Sequence, residues 1–105
     1  MTESLQTGVM VWDKKSETHK PKYDQKELHF ALSSNKSEAK KIFTFAASNS
    51  DVEWGLNGNK KGGWVVGTIN ENAQAPSFRG VAGFEKSNII YRAHSHSGSH
   101  PIIDY

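Results

Sequence analysis

Apolar residues fall mostly three and four apart in the SEAKKIFTFAAS segment at residues 37–48, the best helix pattern in the chain. Ala39, Ile42, Phe43, Phe45 and Ala46 supply that spacing, Ser37 stands where a capping hydroxyl belongs, and Glu38 places an acid in the first turn. The pattern predicts a helix ended by Asn49, Ser50 and Asp51. Elsewhere the apolar runs are short. Leu28, Phe30 and Leu32 alternate with Glu27 and His29, which fits a half-buried strand or a short helical turn. VEWGLNGNKKGGWVVGTIN holds two apolar runs around a Gly, Asn and Lys turn, a hairpin signature. FRGVAGF at residues 78–84 and NIIYRA at 88–93 are read as two further strands joined by a charged turn. Residues 1–26 form a leading segment with one edge strand at Val9 to Trp12 and a turn-like, mobile stretch, KKSETHKPKYDQK. The expected fold class is α+β, with one main helix on a small mixed or antiparallel sheet of about four strands. Residues 27–105 are taken as a single domain.

Composition narrows the function classes. A chain of 105 residues holds one domain, and 35% hydrophobic content with 10% aromatics is enough for a small core under a polar surface. The net charge of +2 comes from short Lys clusters set among acids and glycines, so a nucleic-acid partner is not expected. With no cysteine, thiolate chemistry and thiolate metal sites are excluded, and any transition metal must use His and carboxylate. No apolar run approaches the ~20 residues of a membrane span, and the N-terminus lacks the pattern of a signal peptide. The expectation is a soluble chain without its own export signal; delivery as the C-terminal part of a larger secreted protein would look the same.

NIIYRA runs directly into HSHSGSHP, which sets His94 and His96 two residues apart. In extended backbone both imidazoles then share a face, about 6–7 Å apart at Cα, within reach of one ion. Solvated paired histidines give the same pattern. Glu53, beside Trp54 in an otherwise apolar strand, is a candidate general base for water; the blander reading is a surface glutamate on a half-exposed hairpin. On that blander reading, Gly55 and Gly58 merely permit a twist and a tight turn.

Glu53, Gly55, Leu56 and Gly58, followed some forty residues later by His94-Ser95-His96, resemble the motif of the JAB/MPN metalloproteases, also called JAMM. Over residues 42–101 the chain more narrowly resembles the JAB-like toxin domains at the C-termini of Rhs-type polymorphic toxins of gut Bacteroidetes. The resemblance implies a JAB/MPN-like, cytidine-deaminase-like core, incomplete at the C-terminus. It also implies Zn2+ held by His94, His96 and a third ligand, with Glu53 as the catalytic carboxylate. Where the family has Ser after seven intervening residues this chain has Asp104, and it stops before the position of the family's ligand Asp. The third ligand is therefore Asp104, or His100 in its place, or absent. The implied activity is hydrolysis of a peptide or isopeptide bond in a protein or peptide substrate. The implied partners are that substrate, an immunity protein, and a second copy of the chain covering an open sheet edge.

Two other functions fit the same residues: a catalytically inactive metal-binding or protein-interaction domain of this fold, and a small adaptor with no metal. His19 and His29 are read as solvated or partly packed, not as ligands. Trp12, Trp54, Trp64, Phe78 and Phe84 are read as core, the other reading being that they line a substrate groove. The NGNKKGG turn lacks the strand-to-helix context of a phosphate loop and is read as a hairpin turn.

Overall fold

The computed structural model describes residues 6–13, 25–71, 75–78, 80–96 and 101–103; the charged stretch over 14–24 lies outside them. Alternation of Leu28, Phe30 and Leu32 resolves as strand, giving β2 (Gln25–Ser33), which pairs antiparallel with β1 (Gln6–Asp13), the edge strand expected in the leading segment. The hairpin follows as β3 (Gly55–Asn59) and β4 (Trp64–Thr68), and the His-x-His run ends β5 (Ile89–Ser95), which pairs with a short β6 (Pro101–Ile103). Together they form a six-stranded sheet in the order β1-β2-β4-β3-β5-β6, every pair antiparallel. The fold class is α+β as expected. The sheet is larger than the expected four strands because β1 and β6 extend both edges.

The one α-helix among the described residues, α1 (Lys36–Ser48), begins one residue earlier than its predicted cap. Asn35, not Ser37, is the N-cap: its Oδ1 accepts from the Glu38 N–H at 2.8 Å. Ser33 Oγ accepts from the Asn35 N–H and donates to Glu38 Oε1 at 2.7 Å, so the end of β2 is tied to the first turn. The buried stripe is Ala39, Phe43 and Ala47, flanked by Ile42 and Ala46. Phe45, expected inside, is 71% exposed. At ~100° per residue it lies about 120° around the helix from Ala39, outside the stripe.

Apolar side chains cover both faces of the sheet. On one face α1 packs Ala39 and Phe43 against Leu56, Trp64, Val66 and Ala93. On the other, Leu28, Val65 and Ile69 meet Phe78, Val81 and Phe84. Central β4 is therefore buried along its whole length, which explains its unbroken apolar run.

Phe78 and residues 80–84, expected to lie in a strand, instead form two successive turns, with the Val81 N–H donating to the Phe78 carbonyl (2.9 Å) and the Phe84 N–H to the Val81 carbonyl (3.0 Å). The physical reason is the apolar spacing. Phe78, Val81 and Phe84 recur every three residues, so consecutive three-residue turns direct all three into the same core, which a two-residue strand period cannot do. Phe78 lies directly on strand backbone: a Cβ at Gly67 would sit 2.9 Å from its ring and one at Gly55 would sit 3.0 Å away.

The NGNKKGG segment is a hairpin turn, as expected. Asn59 organises it: its Oδ1 accepts from the N–H groups of Lys61 (3.0 Å) and Gly63 (2.8 Å), and its Nδ2 donates to the Gly83 carbonyl (3.0 Å), linking the hairpin to the covering turns. Asn59→Ala is expected to cost about 2–3 kcal/mol of unfolding free energy in a urea titration, since three hydrogen bonds of about 1 kcal/mol each are lost. A loss below about 0.5 kcal/mol would mean that the turn holds without it.

Candidate functional site

β3 and β5 are neighbours, with Gly55 opposite His94 and Leu56 opposite Ala93. Ala93 belongs to the helix-side core, so strand alternation directs His94 to the other face. One residue past the end of β5, His96 places its ring 5.0 Å from that of His94, centroid to centroid, in an edge-to-face arrangement. Its side chain is 52% exposed.

Glu53 lies two residues before β3, not within a strand as the sequence reading placed it. Its backbone is held from two directions: the Glu53 N–H donates to the Glu71 carbonyl (2.7 Å), and the Thr68 hydroxyl donates to the Glu53 carbonyl (2.8 Å). Thr68 Oγ1 in turn accepts from the Asn70 N–H. The next residue is clamped as well. The Trp54 N–H donates to Ser95 Oγ (2.9 Å), and the Ser95 N–H donates to the Trp54 carbonyl (3.0 Å). The Trp54 indole N–H donates to Ser50 Oγ beyond the end of α1.

The consequence is a defined position for the Glu53 carboxylate. Its side chain is only 11% exposed, and Oε2 lies 3.8 Å from His96 Nδ1. The surface-glutamate reading is thereby overturned. Glu53, His94 and His96 converge at one end of the β3/β5 pair. Asp104 and His100 lie outside the described residues, as does His19. His29 is a half-exposed residue 3.4 Å from Glu27, on a strand away from this convergence. Trp64, Phe78 and Phe84 are core, as expected.

Ser95 and Thr68 were not singled out from the sequence. Ser95 is 1% exposed because it alternates to the face opposite the two histidines, a placement that the His-Ser-His spacing already carries on a strand. Thr68 carries no local signal, since its role depends on a partner fifteen residues earlier.

Among the described residues no group of three His, Cys, Asp or Glu side chains is arranged to hold a metal ion. Two imidazoles with a nearby buried carboxylate still form a donor set that suits a borderline-soft divalent cation when one further ligand joins them. A cleft of about 330 Å³ opens beside His94, bounded by Gly55, Asn57 and Arg92 from the sheet and by Phe78 and Lys86 from the covering segment.

A sequence model of the JAB-like toxin 1 family matches residues 31–103, from the second half of β2 through β6. Comparison with curated proteins gives no match, and comparison with solved structures gives none.

Proposed function

Because the chain belongs to the JAB-like toxin 1 family, we propose that it is a zinc-dependent peptidase or isopeptidase domain acting as a toxin effector. The observation that carries this reading is the buried Glu53 carboxylate facing His96 at 3.8 Å, with His94 beside it at the head of a cleft. On this reading β2, β4, β3 and β5 with α1 correspond to the JAB/MPN-like, cytidine-deaminase-like core. His94 and His96, with Asp104 or His100 as third ligand, would hold Zn2+. Bound there, zinc supplies Lewis-acid polarisation of the scissile carbonyl and acidifies a water molecule.

The remaining chemistry falls to the chain itself. Glu53 takes a proton from the attacking water as its oxygen bonds to the amide carbon, and delivers that proton to the departing nitrogen as the C–N bond breaks. Water is consumed, and a carboxylate and an amine are formed. Burial of Glu53 keeps bulk water from competing for its oxygens, while Thr68 and Glu71 hold its backbone, and Ser95 that of Trp54, so that the carboxylate need not be ordered at each turnover. The substrate is a protein or peptide, and an immunity protein is the expected binding partner. No helix among the described residues is long and apolar enough to cross a membrane.

The direct test is the metal content of protein purified without a metal-affinity tag, beside a His96→Ala variant. About one zinc per chain, lost in the variant, is expected. Added zinc should also raise the wild-type melting temperature, by binding the folded state alone. No zinc after supplementation would overturn the metal centre and leave an interaction domain as the reading.

A further inference from the structure

The cleft beside His94 has a charge character that the catalytic residues do not account for. Two cations, Arg92 and Lys86, line it, and no carboxylate does among the described residues. Both side chains are exposed at its rim, and neither forms an ion pair within the described residues. The acid nearest in sequence, Glu85, is turned into its own turn. It accepts from the Gly83 N–H (3.3 Å) and from Asn88 Nδ2 (2.9 Å), and bonds from its own backbone N–H, from Asn88 and from Gly83 hold its carboxyl below the usual carboxylate range.

Arg92 sits opposite Asn57, two pairs along from the Gly55–His94 pair, and so on the same face of the sheet as His94. A chain lying in the cleft with its scissile bond at His94 would therefore carry its flanking residues past the guanidinium. The floor is apolar, formed by Phe78, Phe84 and Ile89. At about 330 Å³ the cleft lies at the small end of ligand pockets, enough for a few residues of peptide and not for a folded surface.

We propose that this cleft is a subsite for carboxylate groups, and that the preferred substrate carries an acidic segment beside the bond presented to His94. The proposal rests on the peptidase reading for its orientation, but the binding it asserts can be measured without turnover. Arg92 serves as the two-pronged carboxylate partner and Lys86, which also lines the cleft, as the point charge.

The test is fluorescence anisotropy on the full chain carrying Glu53→Gln, so that bound peptide is not consumed. The probe is a dye-labelled octapeptide with three consecutive glutamates and a blocked C-terminus, compared with its glutamine counterpart. A third peptide, all glutamine with a free C-terminus, separates side-chain carboxylates from a chain-end carboxylate. The acidic peptide is expected to bind about tenfold tighter than the neutral one at low salt, and less so as salt screens the cations. Arg92→Gln and Lys86→Gln should each weaken it about threefold while leaving the neutral peptide unaffected. Both residues are exposed, so the folded state should survive, which a thermal melt verifies. Arg92→Glu should shift preference towards a lysine peptide.

Tight binding of the free-C-terminus peptide alone would support a carboxylate subsite, assign it to a chain end and overturn the acidic segment. Equal binding of all three peptides would overturn the proposal, as would displacement of the peptide by a thymidine oligonucleotide of equal charge at equal concentration. If the acidic peptide binds with the expected preference and wild-type protein loaded with zinc fails to cleave it or any other peptide, the peptidase reading fails and the carboxylate subsite stands.

Discussion

Glu53→Gln is expected to lower kcat about 10²–10⁴-fold on any peptide the wild-type chain cleaves, with zinc content and melting temperature close to wild type. The amide keeps the size and polarity of the side chain but cannot take a proton from water. Its backbone partners, Thr68, Glu71 and Ser95 through Trp54, do not involve the carboxylate and are untouched. Steady-state kinetics on wild type and variant, each with metal analysis, checks this. Activity within tenfold of wild type would remove Glu53 from the chemistry, and a simultaneous loss of zinc would make it a ligand instead of a base. Substitution by Ala would empty a largely buried position and mix stability with catalysis, which is why the isosteric variant is the sharper one.

The largest loss of stability is expected from Phe78→Ala, about 3–5 kcal/mol in a urea or thermal melt. Phe78 is 2% exposed, and its ring rests on two places where the sheet has no side chain, Gly55 and Gly67. Removing the ring leaves a void bounded by strand backbone, which is tied by ladder hydrogen bonds and cannot collapse inward. Against the roughly 5–15 kcal/mol that holds a domain folded, such a loss brings much of the population near unfolding at physiological temperature. Phe78→Leu should cost about half as much, since part of the volume remains. A Phe78→Ala loss under about 1 kcal/mol would show that the covering turns contribute little to the sheet. Because Gly55 pairs with His94, the same variant also loosens the floor of the cleft, so its peptide binding should weaken more than its zinc binding.

The residues themselves determined much of the plan. Three-to-four spacing over residues 37–48 was sufficient for α1, and alternation around Leu28 and Phe30 was compatible with β2. Two apolar runs around NGNKKGG could close only as a hairpin. The His-Ser-His spacing placed both imidazoles on one face, because strand geometry alternates residue by residue whatever the rest of the fold does.

Other features were beyond local pattern. Residues 78–84 are apolar enough for a strand, and only the adjoining core decided that their three-residue period would be satisfied by turns. Phe45 could be judged exposed only once Ala39 and Phe43 had met the sheet. The place of Glu53 is the clearest case. Nothing near it in sequence distinguishes a buried carboxylate from a solvated one, since its surroundings are built from β4, from Glu71 and from Ser95, forty-two residues away along the chain. Local propensity and period act over a few residues and so determined the helix, the hairpin and the shared face of the histidines. Convergence of Glu53 with His96, and the pairing of β3 with β5 that opens a cationic cleft beside His94, required long-range hydrogen bonds and burial, which only the tertiary structure supplies.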